Sequence, residues 1–509
     1  MPENNHDTIY EQLFENKDIA RCVDDNEPLI LDALDPSLSI TFTELRTKVR
    51  SLAVALRQVP FLLEEGEVVL FCTKDHVECS IALFGVAAAG CVACMLPSIA
   101  PVSDIQRIVQ STKPKAIIAH PDTLDKVKSY KDDDGIPIPV LVIGGSDGSP
   151  SIPNASHLSQ WYTAHAKVES LPRVHPDTCA FLILTSGTTS SPKLVRISQQ
   201  GMVARIRHAQ NMPRSLLFPE HAKPTAFVMS HVAFSSWIMI CSNCTCLGVP
   251  HYVGDFWRIQ PNLETILSKI QELRITTFFL LDARSMTRIA ASHDDHLKYD
   301  MSSLCAIYTG GQTIPQDVLE ATANKLQATI MSAYAATEAG VLFTLGYASP
   351  STLAQSLPHE SIPAEIKLVD DQNQAENFDK DGFYHTGDIF TVNKDGQYTM
   401  LGRYADVIKT ADGHGIKQCV IVGAFSTMHG QELPRAYIVP MPNHRHRFDE
   451  EQVVEGLKEH VKARVPLKSM TLDGGIRIMD ELPIARSGKV DRYKLRKMAH
   501  EEINTGSCV

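Results

Sequence analysis

The chain has 509 residues, 44% hydrophobic and 21% charged. That composition excludes a largely disordered polypeptide and predicts two or three core units. Its 48 Lys and Arg against 59 Asp and Glu give a net charge of −11. No basic tract interleaves with aromatics, which argues against nucleic acid as a partner.

No apolar run reaches membrane-spanning length, because 81–96 and 226–249 are broken by Gly, Cys, His, Ser and Asn. The first twelve residues are polar and acidic, without a secretory pattern, and the Ser-Cys-Val ending lacks a peroxisomal signal. Twelve scattered Cys read as reduced thiols. Cytoplasmic location is the expectation. Cys241, Cys244 and Cys246 cluster in an apolar stretch but have no matching second pair, so they read as core rather than as a zinc site.

In chain order, Thr41-Phe42-Thr43-Glu44 reads as a capping box. The helix it opens sets Leu45, Val49, Leu52, Ala53 and Leu56 on one face. Strand-like runs follow at 67–72, 91–96, 115–119, 139–143 and 179–185, with helices near 77–89 and 102–111. The segment 144–156 is a surface loop. Beyond 186–192 come strands at 225–230, 275–281, 304–309 and 328–333, with helices near 234–247, 262–273 and 315–326. Such alternation predicts an α/β fold: stacked, mainly parallel sheets with flanking helices. After about residue 360 the Asp381-Gly382, Asp395-Gly396 and Asp412-Gly413 turns mark a β-rich subdomain. It leads to a small α+β C-terminal piece with helices at 449–464 and 491–502.

The strongest local signal is Leu184-Thr-Ser-Gly-Thr-Thr-Ser-Ser-Pro-Lys193. Gly187 allows positive φ and exposes amides, the hydroxyls of Thr185, Ser186, Thr188 and Thr189 add donors, and Lys193 adds charge. Together they form a cradle for a polyphosphate, although the segment is not a Walker A loop. A hydroxyl-rich surface turn is the lesser reading of the segment taken alone.

The segment resembles the phosphate loop of the adenylate-forming superfamily: acyl-CoA synthetases, 4-coumarate–CoA ligases, luciferase and peptide-synthetase adenylation domains. Four further matches follow in that family's order. They are Ser332-Ala-Tyr-Ala-Ala-Thr-Glu338, Tyr384-His-Thr-Gly-Asp388, Gly402-Arg-Tyr-Ala-Asp-Val-Ile-Lys409, and Ser487-Gly-Lys489. The resemblance spans nearly the whole chain. It implies residues 1–402 as the nucleotide-binding domain, a hinge at 403–406, and a small mobile lid domain at 407–509.

The resemblance also implies roles. Lys489 is the catalytic lysine that neutralises carboxylate and α-phosphate. Glu338 is a Mg²⁺ ligand with Thr337 beside it, in keeping with the preference of Mg²⁺ for one or two carboxylates plus phosphate oxygens. Ala333 and Tyr334 line the adenine site, with Gly310, Gly311 and Gln312. Asp388 accepts the ribose hydroxyls. Arg403 reaches ribose or phosphate, and Lys409 with the loop 413–415 serves the second half-reaction. His231 matches a family His at the mouth of the acyl pocket; otherwise it reads as a satisfied core residue.

Departures stand beside these matches. Ala335 occupies a family Gly position and Ala405 the hinge position. Segments usual in the family are missing between Val369 and Phe378 and between Ile416 and Cys419. Loss of a C-terminal helix there is expected to expose apolar surface and destabilise the small domain.

The expected function is ATP-dependent activation of a carboxylic acid to an acyl-adenylate, then transfer to CoA. ATP, Mg²⁺ and CoA are the expected ligands. The segment Ala233-Phe-Ser-Ser-Trp-Ile238 lacks the carboxylate that would hold an amino acid. Trp237, Met239, Phe278, Phe279 and Leu280 suggest an aryl or medium-chain acid, or plain core. A carrier protein as acceptor and a catalytically impaired relative are the alternatives.

Overall fold

Successive side chains on a strand point to opposite faces, so the short apolar strands sort their residues into separate layers. In the computed structural model they build two sheets. The first runs Ala155–His157, Val140–Val142, Ala116–Ala119, Val68–Thr73, Val92–Pro97, Cys179–Thr185 and Lys193–Ser198 in spatial order. All its neighbours are parallel except the last pair. The second runs Gly340–Ala348, Thr329–Ala336, Ala306–Gly310, Thr277–Phe279, Ala226–Val228, His251–Val253, Pro28–Asp32 and Ser39–Thr41. It is parallel inside and antiparallel at both edges.

Val69, Phe71, Ala93 and Met95 of the first sheet share a central core with Ala226 and Val228 of the second. Helices Glu78–Ala88 and Ser235–Leu247 lie in that core. The former is buried all round, as a helix of Ala, Ile, Leu, Phe and Gly must be. Its Gly85 packs tightly: an added Cβ would stand 2.7 Å from Leu52 Cδ2 of the neighbouring helix Phe42–Arg57, which would have to shift. Leu70, Cys72, Cys94 and Leu96 turn the other way, onto Ile105, Ile108 and Val109 of helix Val102–Thr112. Phe227, Phe278, Ile307 and Ile330 face outward onto helices Leu263–Glu272, Ala283–Ala291 and Gln316–Leu326. The result is the stacked parallel architecture that the alternation predicts. The capping box at Thr41 is present, with Glu44 N–H donating to Thr41 Oγ1 at 3.1 Å and Thr41 N–H to Glu44 Oε2 at 2.9 Å.

The chain divides into two compact units, Met1–Glu365 and Ile366–Val509. The second contains the hairpin Asp388–Val392/Tyr398–Arg403 and a three-stranded sheet. In that sheet Gln431–Pro440 pairs antiparallel with Ile416–Ser426 and parallel with Ile476–Ile478. Leu495 and Ala499 of helix Arg492–Thr505 cover Val420, Val422, Ala424 and Tyr437 on one face. Leu457 and Val461 of helix Glu450–Arg464 cover Ala436, Ile438 and Ile476 on the other. The expected exposed apolar face is therefore not found among the described residues. Two helices suffice because the sheet is only three strands wide.

The structure describes residues 7–17, 19, 21–145, 152–163, 170–185, 193–210, 223–260, 262–291, 298–311, 314, 316–350, 367, 379–392, 398–403, 416–428, 431–440, 450–464, 472–484 and 490–505. Among these, no helix is long and apolar enough to cross a membrane.

Candidate active site

The segment expected to cradle phosphate joins the antiparallel strands Cys179–Thr185 and Lys193–Ser198. Thr185 ends one strand and Lys193 begins the next, and the two are cross-strand partners. Thr185 Oγ1 donates to the Lys193 carbonyl at 3.4 Å. Ser186, Gly187, Thr188 and Thr189 lie outside the described residues. The edge strand is held by main-chain pairing to a buried one, so the two ends of the loop are fixed.

In the other sheet, strands Ala306–Gly310 and Thr329–Ala336 end side by side. Gly310 pairs with Ala333, and a Cβ on Gly310 would lie 2.7 Å from the Ala333 carbonyl oxygen. Only glycine allows that approach. Gly311 follows at φ +78°, turning the chain at the strand end. Gln312 lies outside the described residues. Tyr334 is 7% exposed and sits opposite Phe343 across the antiparallel pair. Clefts at the carboxyl ends of parallel strands are where α/β sheets bind ligands.

Thr337 and Glu338 form the turn that follows Tyr334, and Glu338 is exposed. Thr337 Oγ1 lies 3.3 Å from Ser235 Oγ, at the start of helix Ser235–Leu247. The turn is gripped by Arg205, which the sequence reading did not single out. Its Nη2 donates to the carbonyls of Thr337 and Glu338, each at 2.9 Å. Arg205 belongs to helix Gln199–Gln210, which directly follows the phosphate hairpin. Burial pulls the guanidinium below its ordinary pKa and the Glu338 carboxylate pulls it back. No local pattern in Gln199–Gln210 marks this residue, because its partners are backbone atoms some 130 positions away. Thr337 and Glu338 supply hard oxygen donors, which suit a Mg²⁺ ion that keeps part of its water shell.

His231 lies three residues beyond strand Ala226–Val228 and is fully buried. Its Nδ1 accepts from Ala233 N–H at 3.1 Å, and its Nε2 is 3.2 Å from Ser98 Oγ. Burial pushes the imidazole down to about 3, so it is neutral across ordinary pH. Beside it is Asp75, at the carboxyl end of strand Val68–Thr73. Its Oδ1 accepts from Val232 N–H at 2.6 Å and its Oδ2 from Phe256 N–H at 3.1 Å. Burial raises its pKa to about 8 against the pull of those two amides. Lys74 bridges Asp122 at 2.5 Å and Asp255 at 3.6 Å. These contacts stitch the carboxyl ends of the two sheets together. They frame a cavity of about 250 Å³ lined by Lys74, Ser98, Lys126, Asp255, Trp257 and Arg258, among others. A Lys-Asp pair at the end of an apolar strand was the sequence signal available for this cluster.

Phe278 and Phe279 do not share a pocket. Phe278 packs on Phe227 at 5.3 Å in the outer core, while Phe279 stacks on Tyr308 at 5.3 Å toward the centre. Trp237 is fully buried core, Met239 and Leu280 pack against that core half-buried, and Cys241, Cys244 and Cys246 are buried thiols whose pKa values burial raises.

In the second unit, Gly387 at φ +70° turns the chain into strand Asp388–Val392, and Asp388 N–H donates to Thr386 Oγ1 at 3.2 Å. Asp388 stands directly opposite Arg403 in the hairpin register. Two residues far apart in motif order are thus cross-strand neighbours. Lys409 and Lys489 lie outside the described residues, as does the shortened segment 369–378.

The family of AMP-binding enzymes matches residues 21–382 of this sequence. This chain belongs to that family. It is similar to the acyl-CoA ligase azaF of Aspergillus niger, 24% identical over 91% of this chain and 94% of that protein. It is also similar to 4-coumarate–CoA ligase 1 of Arabidopsis thaliana, 23% identical over 97% of this chain and 92% of that protein. Among solved structures it superposes on an anthranilate CoA ligase, AuaEII, in complex with anthranoyl-AMP. That match has a TM-score of 0.69 at 18% identity, covering 97% of both chains, and it establishes the shared fold.

Proposed function

We propose that this AMP-binding enzyme activates a small carboxylic acid with ATP and transfers the acyl group to CoA. A carboxylate oxygen attacks the α-phosphorus of ATP. The bond to the β-phosphate oxygen breaks and pyrophosphate leaves. The CoA thiol then attacks the acyl carbon, AMP departs with the bonding pair, and the thiol proton passes to solvent.

The observation that carries the reading is the tie between the phosphate hairpin and the Thr337–Glu338 turn through Arg205. It joins, within one unit, the two segments whose chemistry suits phosphate oxygens. Membership of the family and the CoA-ligase names of its relatives support the same reaction. Lys193 and the hydroxyls of Thr185, Ser186, Thr188 and Thr189 cradle the phosphates, with Gly187 opening the loop. Glu338 and Thr337 would hold Mg²⁺, which would supply neutralising charge to the phosphate oxygens. Tyr334, Ala333, Gly310, Gly311 and Gln312 receive adenine, and Asp388 and Arg403 receive ribose. Lys489 offsets the charge that accumulates when two anions meet. Residues 403–406 act as the hinge for the half-reaction that uses Lys409. His231 is a fully buried neutral residue, and its depressed pKa removes it as a base near neutrality.

The cavity beside His231 carries Lys74, Lys126 and Arg258 against Asp122 and Asp255, an excess of one positive charge at its rim. That balance favours an anionic acceptor such as CoA over a neutral thiol.

The test is carboxylate-dependent pyrophosphate release with ATP and Mg²⁺ across aryl and medium-chain acids. One acid class supports release, and Lys489→Ala lowers it at least 100-fold. An absence of release with every acid of the panel, from protein shown to be folded and to bind ATP, would overturn the reading. Adding CoA, or a phosphopantetheinyl carrier in its place, identifies the acceptor.

A further inference from the structure

Arg205 carries an inference that rests on the proposed reaction and deepens it. A half-buried guanidinium normally takes a carboxylate partner. Here Nη2 instead spends its donors on two successive main-chain carbonyls, those of Thr337 and Glu338. The exposed Glu338 side chain is left to the solvent side. Gly340 completes the arrangement. It sits at φ +86°, and a Cβ there would meet Cγ, Nε and Cδ of Arg205 at 3.4 to 3.5 Å. The side chain therefore lies flat along the turn, in contact at both its stem and its head. Ser235 Oγ is a further contact to the same turn, through Thr337 Oγ1.

We propose that Arg205 is a positioning residue that fixes the Thr337–Glu338 turn so that its oxygen donors are presented ready-made to a divalent cation. By donating to the main-chain carbonyls, it orders the turn while its hydrogen bonds leave the Glu338 carboxylate oxygens to the cation. Because Arg205 rides on the helix that follows the phosphate hairpin, it also sets the spacing between cation donors and phosphate cradle. A preorganised ligand binds more tightly, since its ordering cost is met on folding.

The experiment compares Arg205→Lys and Arg205→Met with the unaltered protein. Amide hydrogen exchange across 337–340 reads the turn directly, without any catalysis. The Mg²⁺ concentration for half-maximal pyrophosphate release and the KM for CoA read its consequence. Thermal unfolding of each variant monitors global folding. The expected result is exchange in the turn at least 10-fold faster in Arg205→Met, with Arg205→Lys between. The Mg²⁺ requirement rises about 10-fold while the CoA KM stays within twofold. Variants of unchanged stability with wild-type exchange and wild-type Mg²⁺ dependence would overturn the proposal. So would a loss that appears equally in Mg²⁺ and CoA dependence, which marks a general structural role. If unaltered protein releases no pyrophosphate, the proposed reaction falls, and the exchange data still decide whether Arg205 orders the turn.

Discussion

At the scale of single residues, burial sets the chemistry more than identity does. His231 and His251 are both fully enclosed, and desolvation holds their pKa values at about 3 and about 4. A neutral buried imidazole is a liability in acid, because the unfolded chain takes up a proton near 6.5 that the folded chain refuses. Stability is therefore lost as pH falls below 6.5, in the window down to the folded pKa. Asp75 works in the opposite sense: its folded pKa of about 8 means the folded chain keeps a proton that the unfolded chain releases. His251 isolates one contribution, since its Nδ1 bonds only to the neighbouring Val249 carbonyl at 2.9 Å and it lies outside the proposed machinery. His251→Asn should lose about 2 kcal/mol less than the unaltered protein between pH 7 and pH 5. Urea denaturation at the two pH values measures this, and equal losses would refute the assignment.

Among the elements, two packing contacts are decisive. Helix Arg492–Thr505 is anchored on the small sheet by Glu502, which meets Arg435 Nε at 2.7 Å and Arg477, and accepts from Tyr437 Oη at 3.0 Å. Arg435 is 1% exposed. Removing the charge of Glu502 leaves that cation buried without its counter-ion, a loss of about 3 to 5 kcal/mol. Glu502→Gln should therefore lower the unfolding midpoint of the second unit, as read by circular dichroism during thermal melting. The second contact is Gly85, whose added methyl would collide with Leu52. Gly85→Ala should destabilise the first unit by about 1 to 3 kcal/mol despite the better helix propensity of alanine, because overpacking outweighs propensity. A gain in midpoint would show that Leu52 yields at no cost.

For the whole molecule, two compact units with separate cores predict two thermal transitions. Calorimetry should show Glu502→Gln lowering the transition of Ile366–Val509 while that of Met1–Glu365 stays in place. A single transition displaced as a whole would refute independent units.

The sequence by itself determined the layered architecture and the order of the motifs. Period-2 and period-3.6 patterns are local, and so are a capping box at Thr41 and a hydroxyl-rich turn before Lys193. Those signals survive without knowledge of what packs against them. It also singled out Asp388 and Arg403 as candidates, though not that the hairpin sets them opposite each other. What only the tertiary structure decided are the contacts between distant segments. Arg205 grips carbonyls 132 and 133 positions away, and Asp75 joins amides 157 and 181 positions away. Main-chain acceptors and donors exist at every residue, so no residue type flags them in advance. The face of Phe278 against that of Phe279, and the closure of the small sheet by two helices, were likewise settled by packing. A register shift of one residue reverses every such assignment, and register is fixed only when strands meet.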